Sequence, residues 1–243
     1  MGTVAADRPN IVSEVSDAAP DLTDVGFESQ VVRAFHDLYC KDGRTWSQTQ
    51  WLGVQVIKCP LDLWIYQEIL FAPESRPDVI IETGTHHGGS ALFLASMCDM
   101  IGSGRVITIE LLEKETPEHP RITYLTGSSV SPEILTTVKE SIQSNERVMV
   151  LLDSDHRAQH VLAELEAYSP LVTPGNYLIV EDTNLNSWRD PARGQKIGPG
   201  PLEAVREFMS GNSDFAVDRS KERFYMTFNP NGYLVRKSPE ILT

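Results

Sequence analysis

The stretch DVIIETGTHHGGSALFLASMCDMIGSGRVITIEL, residues 78–111, decides the fold. It opens on a β-branched run, turns through glycines at 84–89, continues as a small and apolar stretch over 89–101, and closes on a second β-branched run at 105–111. Strand, tight turn, helix and strand in that order form a βαβ unit, whose crossover makes the two strands parallel. Outward from it, ITYLTG (122–127), RVMVLLD (147–153) and NYLIVED (176–182) repeat the strand pattern. Helical stretches near 132–143 and 156–169 lie between them, while the link 111–121 is too short and proline-bearing for a full helix. A helix over 201–209 follows, then terminal strands in FAVDRS and in YMTFNPNGYLVRK, the latter folded at Asn229 to Gly232. This alternation predicts an α/β domain with a doubly wound, mostly parallel sheet, five parallel strands being closed by an antiparallel pair. Upstream, Val31, Val32, Phe35, Leu38 and Tyr39 recur at helical spacing, and a second helix is opened by Pro60. We therefore expect a helical segment at 27–77 within a single domain 27–243. Residues 1–26, with Asp7, Glu14, Asp17, Asp21 and Asp24 against Arg8, read as an acidic mobile tail.

Composition narrows the function. A chain of 243 residues with 41% hydrophobic positions can bury one sizeable core. Its 21 Lys and Arg against 34 Asp and Glu leave a net charge of −13, which repels phosphate backbones and argues against a nucleic-acid partner. No run approaches ~18 apolar residues, and the opening MGTVAADRPNIVSEVSDAAP lacks the apolar core of a secretory signal. A cytoplasmic location without stable membrane insertion is expected. Cys40, Cys59 and Cys98 show no CxxC spacing and read as reduced thiols.

In an open α/β sheet, ligands bind beyond the carboxyl ends of the strands. The first strand ends in Glu82-Thr83-Gly84-Thr85-His86-His87-Gly88-Gly89-Ser90, a loop suited to a small polar ligand facing a helix amino end. His86 stands where a dinucleotide fingerprint needs its second glycine, which argues against NAD. Glu110 ends the second strand, where an acid accepts hydrogen bonds from ribose hydroxyls, and Gly127-Ser128-Ser129 ends the third, suited to an adenine edge. Asp153-Ser154-Asp155-His156 and Glu181-Asp182 end the fourth and fifth. Carboxylates converging there need a cation, and oxygen ligands suit Mg²⁺; the alternative is that Asp153 or Asp155 caps the next helix. His156 follows the acids directly and is placed to remove a proton, or else to orient a carboxylate. His160, one turn further on, raises a zinc pair with His156, though no HExxH glutamate accompanies it.

IETGTHHGGSALFLA, KCPLDLWIYQE, LLDSDH and the VED strand end together resemble the cephalosporin hydroxylase/rhamnosyl O-methyltransferase family over roughly residues 45–235. The resemblance implies a Rossmann-like class I methyltransferase fold with a seven-stranded sheet, S-adenosyl-methionine and Mg²⁺ as cofactors, a sugar-containing acceptor and a homo-oligomer. It places the cofactor at Glu82, Gly84, Thr85, Gly88, Gly89, Ser90, Glu110 and Ser128, with Asp153 beside it. The metal ligands it implies are Asp155, Glu181 and Asp182, and the catalytic residues expected are His156, as general base, and Asp155. Similarity to catechol-type O-methyltransferases instead puts Asp153 at the first metal position and His156 at the catalytic one. Lys58 approaches this site or is a solvated lysine at a helix start, and residues 184–200, with Trp188, read as a lid over the acceptor or a passive crossover. A non-haem iron hydroxylase and a non-catalytic cofactor-binding subunit are the rival readings; the former lacks any His-x-Asp or His-x-Glu.

Overall fold

The computed structural model describes residues 27–40, 45–185 and 198–238. Helix α1 (Phe27–Cys40) leads into a small antiparallel hairpin, β1 (Gln50–Trp51) and β2 (Val54–Gln55), and helix α2 (Pro60–Phe71). The alternation follows as β3 (Val79–Thr83), α3 (Gly89–Ile101), β4 (Arg105–Glu110), β5 (Ile122–Thr126), α4 (Pro132–Glu140), β6 (Val148–Leu152), α5 (Ala158–Tyr168) and β7 (Tyr177–Val180). Helix α6 (Pro201–Gly211), β8 (Phe215–Val217) and β9 (Tyr233–Arg236) complete the domain. The seven-stranded sheet runs β5-β4-β3-β6-β7-β9-β8, with five parallel strands and β9 antiparallel to both neighbours. This is the doubly wound sheet expected of a Rossmann-like class I methyltransferase.

Alternation along each strand builds the layers. Val79, Ile81, Ile107, Ile109, Val150, Leu152 and Leu178 pack on one face against Val138 of α4, Leu165 of α5 and Phe208 of α6. Ile80, Val106, Met149, Leu151 and Ile179, one residue out of phase, pack on the other against Tyr66 and Ile69 of α2 and Leu94 of α3. Proline at the first helical position opens α2, α4 and α6, where its missing N–H is no loss, and Ser131 caps α4 by accepting from Ile134 N. Gly102 ends α3 at φ +86, a left-handed turn that favours glycine.

Two expectations need correction. The segment 225–228 (YMTF) is not a strand: its polar groups turn inward to Asp62, so it cannot join a ladder. The helix expected over 156–169 begins at Ala158, with Arg157 at its cap, so neither Asp153 nor Asp155 caps it. The tail 1–26, Trp188 and most of the stretch 184–200 lie outside the described residues. Among the described residues no helix is long and apolar enough to cross a membrane, and all three cysteines are free.

Candidate active site

Parallel register brings the five strand ends to one edge. Thr83 is level with Ile109 and Leu152, and Leu152 with Val180, so Gly84, Asp153 and Glu181 emerge side by side. The ladder runs on past the strands, with Asp153 N donating to Thr83 O at 3.1 Å and Glu181 N to Leu152 O at 3.0 Å.

The acids meet two cations supplied by the protein itself. Lys58, 2% exposed, donates to Asp153 Oδ2 at 2.7 Å and to Glu181 Oε1 at 2.6 Å. Burial opposes charge on Lys58, but Asp153, Glu181 and Glu82 overcome it and push its pKa above the ordinary lysine range. His156 Nε2 lies 3.4 Å from both Asp153 Oδ1 and Asp182 Oδ2. Burial would lower its pKa, yet the bond to Asp153 and the charge of Asp182 raise it to about 9, so the imidazole holds its proton at neutral pH. Burial pushes Asp182 up to about 6, His156 offsetting part of the shift and Asp153 adding to it. Two protein cations therefore leave this group of carboxylates short of positive charge.

Ligand atoms of Asp153, His156 and Asp182 lie within 4.8 Å of one another, and the two carboxylates of this set, with their charge deficit, fit a divalent ion. Asp155 faces away from that set: its carboxylate takes Arg157 Nε at 2.8 Å and Arg157 N at 2.9 Å. Glu181 faces Lys58. Lys58 engages one oxygen of Glu181, as it does of Asp153, whereas both oxygens of Asp155 are taken by Arg157, which it would have to leave to join an ion at Asp153 and Asp182. Asp182 adopts φ +58, and its N–H donates to Asn229 Oδ1 at 3.0 Å. Asn229 Nδ2 in turn donates to Tyr66 Oη at 2.7 Å. Behind it, buried Asp62 accepts from Phe228 N at 2.8 Å and Tyr233 Oη at 2.7 Å. Sequence reasoning missed Asp62 and Asn229; an aspartate in the otherwise apolar PLDLWIY run was the available signal.

Beside the acids lies a crevice lined by Gln55, Ile57, Lys58, Gly84, His86, His87, Ser90 and Asp153. Its glycines chiefly admit the protein's own chain. A Cβ on Gly84 would stand 1.9 Å from Asp153 O, and one on Gly89 2.1 Å from Gln55 O. Gly88 packs similarly against Pro117 Cδ, at 2.9 Å. Glu82 and Thr85 are buried under the loop, Thr108 Oγ1 bridging Glu82 Oε2 at 2.8 Å and Thr85 Oγ1 at 2.7 Å. Glu110 accepts from His86 N at 2.8 Å and Leu111 N at 3.0 Å, with Lys114 Nζ at 3.2 Å, and these bonds outweigh its burial to hold its pKa low. A charged carboxylate at a strand end, a turn with His86 at φ +50, and a helix α3 with no side-chain cap on its first N–H groups fit a polar nucleoside ligand. Ser128 is half-buried on the adjacent loop. His160 joins Ser129 and Glu164 rather than His156, so no zinc pair forms.

Residues 43–237 match the family described as Rhamnosyl O-methyltransferase/CmcI. The rhamnosyl O-methyltransferase of Mycobacterium leprae (strain TN) is 38% identical over 203 residues, 79% of this chain and 85% of that one. That of Mycobacterium tuberculosis (strain H37Rv) is 35% identical over 218 residues, 85% of each. Among solved structures, apo CmcI aligns with TM-score 0.58 at 21% identity, covering 98% of this chain and 90% of the other. CmcI with Mg and SAM aligns with TM-score 0.57 at 21% identity, covering 97% and 89%. The chain belongs to the rhamnosyl O-methyltransferase/CmcI family of S-adenosyl-methionine-dependent O-methyltransferases.

Proposed function

We propose that the protein transfers the methyl group of S-adenosyl-methionine to a sugar hydroxyl, with a divalent ion, most simply Mg²⁺, at the acid cluster. The observation that carries this reading is the convergence of Asp153, His156 and Asp182 at the strand ends, next to the crevice below Glu110. Its relatives are named as rhamnosyl O-methyltransferases, which supports a deoxyhexose or similar sugar as the acceptor.

Glu110 and Ser128 would hold the adenosine half of the cofactor, and the loop Gly84–Ser90 would hold its amino-acid half. The cofactor supplies an electrophilic methyl group. A divalent ion supplies, when bound, positive charge that the acids share and that stabilises an acceptor oxygen losing its proton, since a sugar hydroxyl is too weak an acid for an unaided imidazole. Asp153 and Asp182 would be its ligands, with Glu181 beside them and Asp155 a further one if released from Arg157. The charge of a bound ion would offset the acids that keep His156 protonated and lower its pKa, and Nε2 would then take the hydroxyl proton while the strand ends orient the acceptor toward the methyl.

Titration of S-adenosyl-methionine and S-adenosyl-homocysteine by calorimetry, with Mg²⁺ and with chelator, tests this reading. Micromolar binding lost in Glu110→Ala is expected, followed by methyl transfer to rhamnosyl acceptors. Absence of binding under every metal condition would defeat it.

A further inference from the structure

Helix α5 carries His160, Glu164 and Tyr168 at four-residue spacing, so the three share one face. That face reaches two separate strand-end loops. Tyr168 Oη donates to Ser129 O at 2.7 Å, and His160 Nε2 lies 3.2 Å from Ser129 Oγ, both on the loop after β5. Glu164, fully buried, accepts from Ser154 Oγ at 2.7 Å on the loop after β6, and the same oxygen lies 3.4 Å from His160 Nε2. Ser154 stands between Asp153 and Asp155, and its Cα lies 3.0 Å from where a Cβ on Gly84 would be. A carboxylate at zero exposure inside a helix is costly unless something requires it. Its contacts here are to the histidine and serine that join the two loops, and its second oxygen has no hydrogen-bond partner.

We propose that His160, Glu164 and Tyr168 form a clamp that fixes the Ser128-Ser129 loop to the Asp153–His156 loop, making Glu164 and His160 positioning residues for the cofactor. The clamp's link to the cofactor rests on the functional reading above, whereas the joining of the two loops does not. Neither residue touches the crevice or the acid cluster. Each acts through a serine: His160 through Ser129 and Glu164 through Ser154. The two loops are thereby one rigid body, and the cofactor's adenine end and the acids keep a constant separation.

Hydrogen–deuterium exchange of the ligand-free, metal-free protein tests the clamp. In His160→Ala, amides at 127–131 should exchange faster. In Glu164→Gln, chosen to keep volume and folding, faster exchange should reach both 127–131 and 153–156. Faster exchange confined to α5, or none, would overturn the clamp. In the same variants the dissociation constant of S-adenosyl-homocysteine should rise about tenfold, the scale of one charge-assisted hydrogen bond. The KM for S-adenosyl-methionine should rise with it, while kcat changes less. Unaltered affinity in both variants would overturn the positioning role even if exchange changed. A wild-type protein that bound no S-adenosyl-homocysteine would defeat the functional reading and the cofactor role together, and the exchange pattern would separately decide the clamp.

Discussion

Lys58 does with one ammonium part of what an acid cluster otherwise needs an ion to do: it holds buried Glu181 and half-buried Asp153 within 2.7 Å of a single positive atom. Removing it leaves Glu181 with no cation of its own and Asp153 with His156 alone. Lys58→Met should destabilise the fold by about 3–5 kcal/mol, the scale for stripping one partner from a buried ion pair. Chemical denaturation in chelator measures this, and adding Glu181→Gln should recover part of the loss, because the pair is then neutral on both sides. Loss below ~1 kcal/mol would show that water reaches the pair. His156 makes a different prediction. His156→Ala should lower turnover ~10²-fold or more while cofactor affinity stays near that of the wild type, as judged by initial rates beside calorimetry. Unchanged turnover would remove it from the chemistry.

At the scale of elements, Arg105 at the start of β4 ties down the end of α4. Arg105 Nη2 donates to Glu146 Oε2 at 2.8 Å, and the same oxygen accepts from Gln143 N at 2.8 Å. The bond to Arg105 holds the Glu146 pKa down at about 2. A carboxylate depressed in the folded state adds stability above its ordinary pKa of 4.5 and loses it as pH falls toward 2. Glu146→Gln should therefore flatten the stability curve between about pH 4.5 and 2, read by thermal melts across that window. An unchanged slope would assign acid unfolding to other groups. The βα alternation was legible in sequence because the central strands are β-branched and apolar on both faces and because α2, α4 and α6 open on proline. The β1–β2 hairpin was not, since two-residue strands have no periodicity to read. The segment YMTF imitated a strand, while its Thr227 and the Phe228 N–H bond a carboxylate more than 160 residues away. Glu110, Asp153, His156 and Asp182 were legible because they end strands. The pairing of Asp155 with Arg157 was not, since spacing cannot tell which of two nearby aspartates turns inward.

Across the whole molecule, the site is assembled from both ends of the chain. Gln55 and Lys58 come from before the first strand of the large sheet, and Asn229 from the turn into its last. Gly89 lets the amino-terminal hairpin rest on α3, and Gly89→Ala tests how tightly. Alanine normally favours a helix by up to ~1 kcal/mol over glycine, but here its Cβ would meet Gln55 O at 2.1 Å. A net destabilisation of about 1–3 kcal/mol is expected, read by denaturation; a gain in stability would mean that the hairpin moves freely. Assembly as a homo-oligomer, the expectation from family resemblance, is checked by light scattering, with a mass that is a multiple of 27.1 kDa as the expected result.

The reach of Lys58 also sets a timetable for synthesis. It is made 95 residues ahead of Asp153 and 123 ahead of Glu181, intervals of roughly 5 to 25 seconds at ordinary translation rates. Asp62 waits longer still, for Tyr233, 171 residues on. Throughout that time Lys58 and Asp62 lack the partners that hold them in the folded protein. A chain that stops short of Asn229 has all five parallel strands and every acid of the cluster, but lacks the amide oxygen that accepts from Asp182 N and the strand that pairs with β7. The last fifteen residues thus close the surroundings of a site whose charged groups were laid down long before.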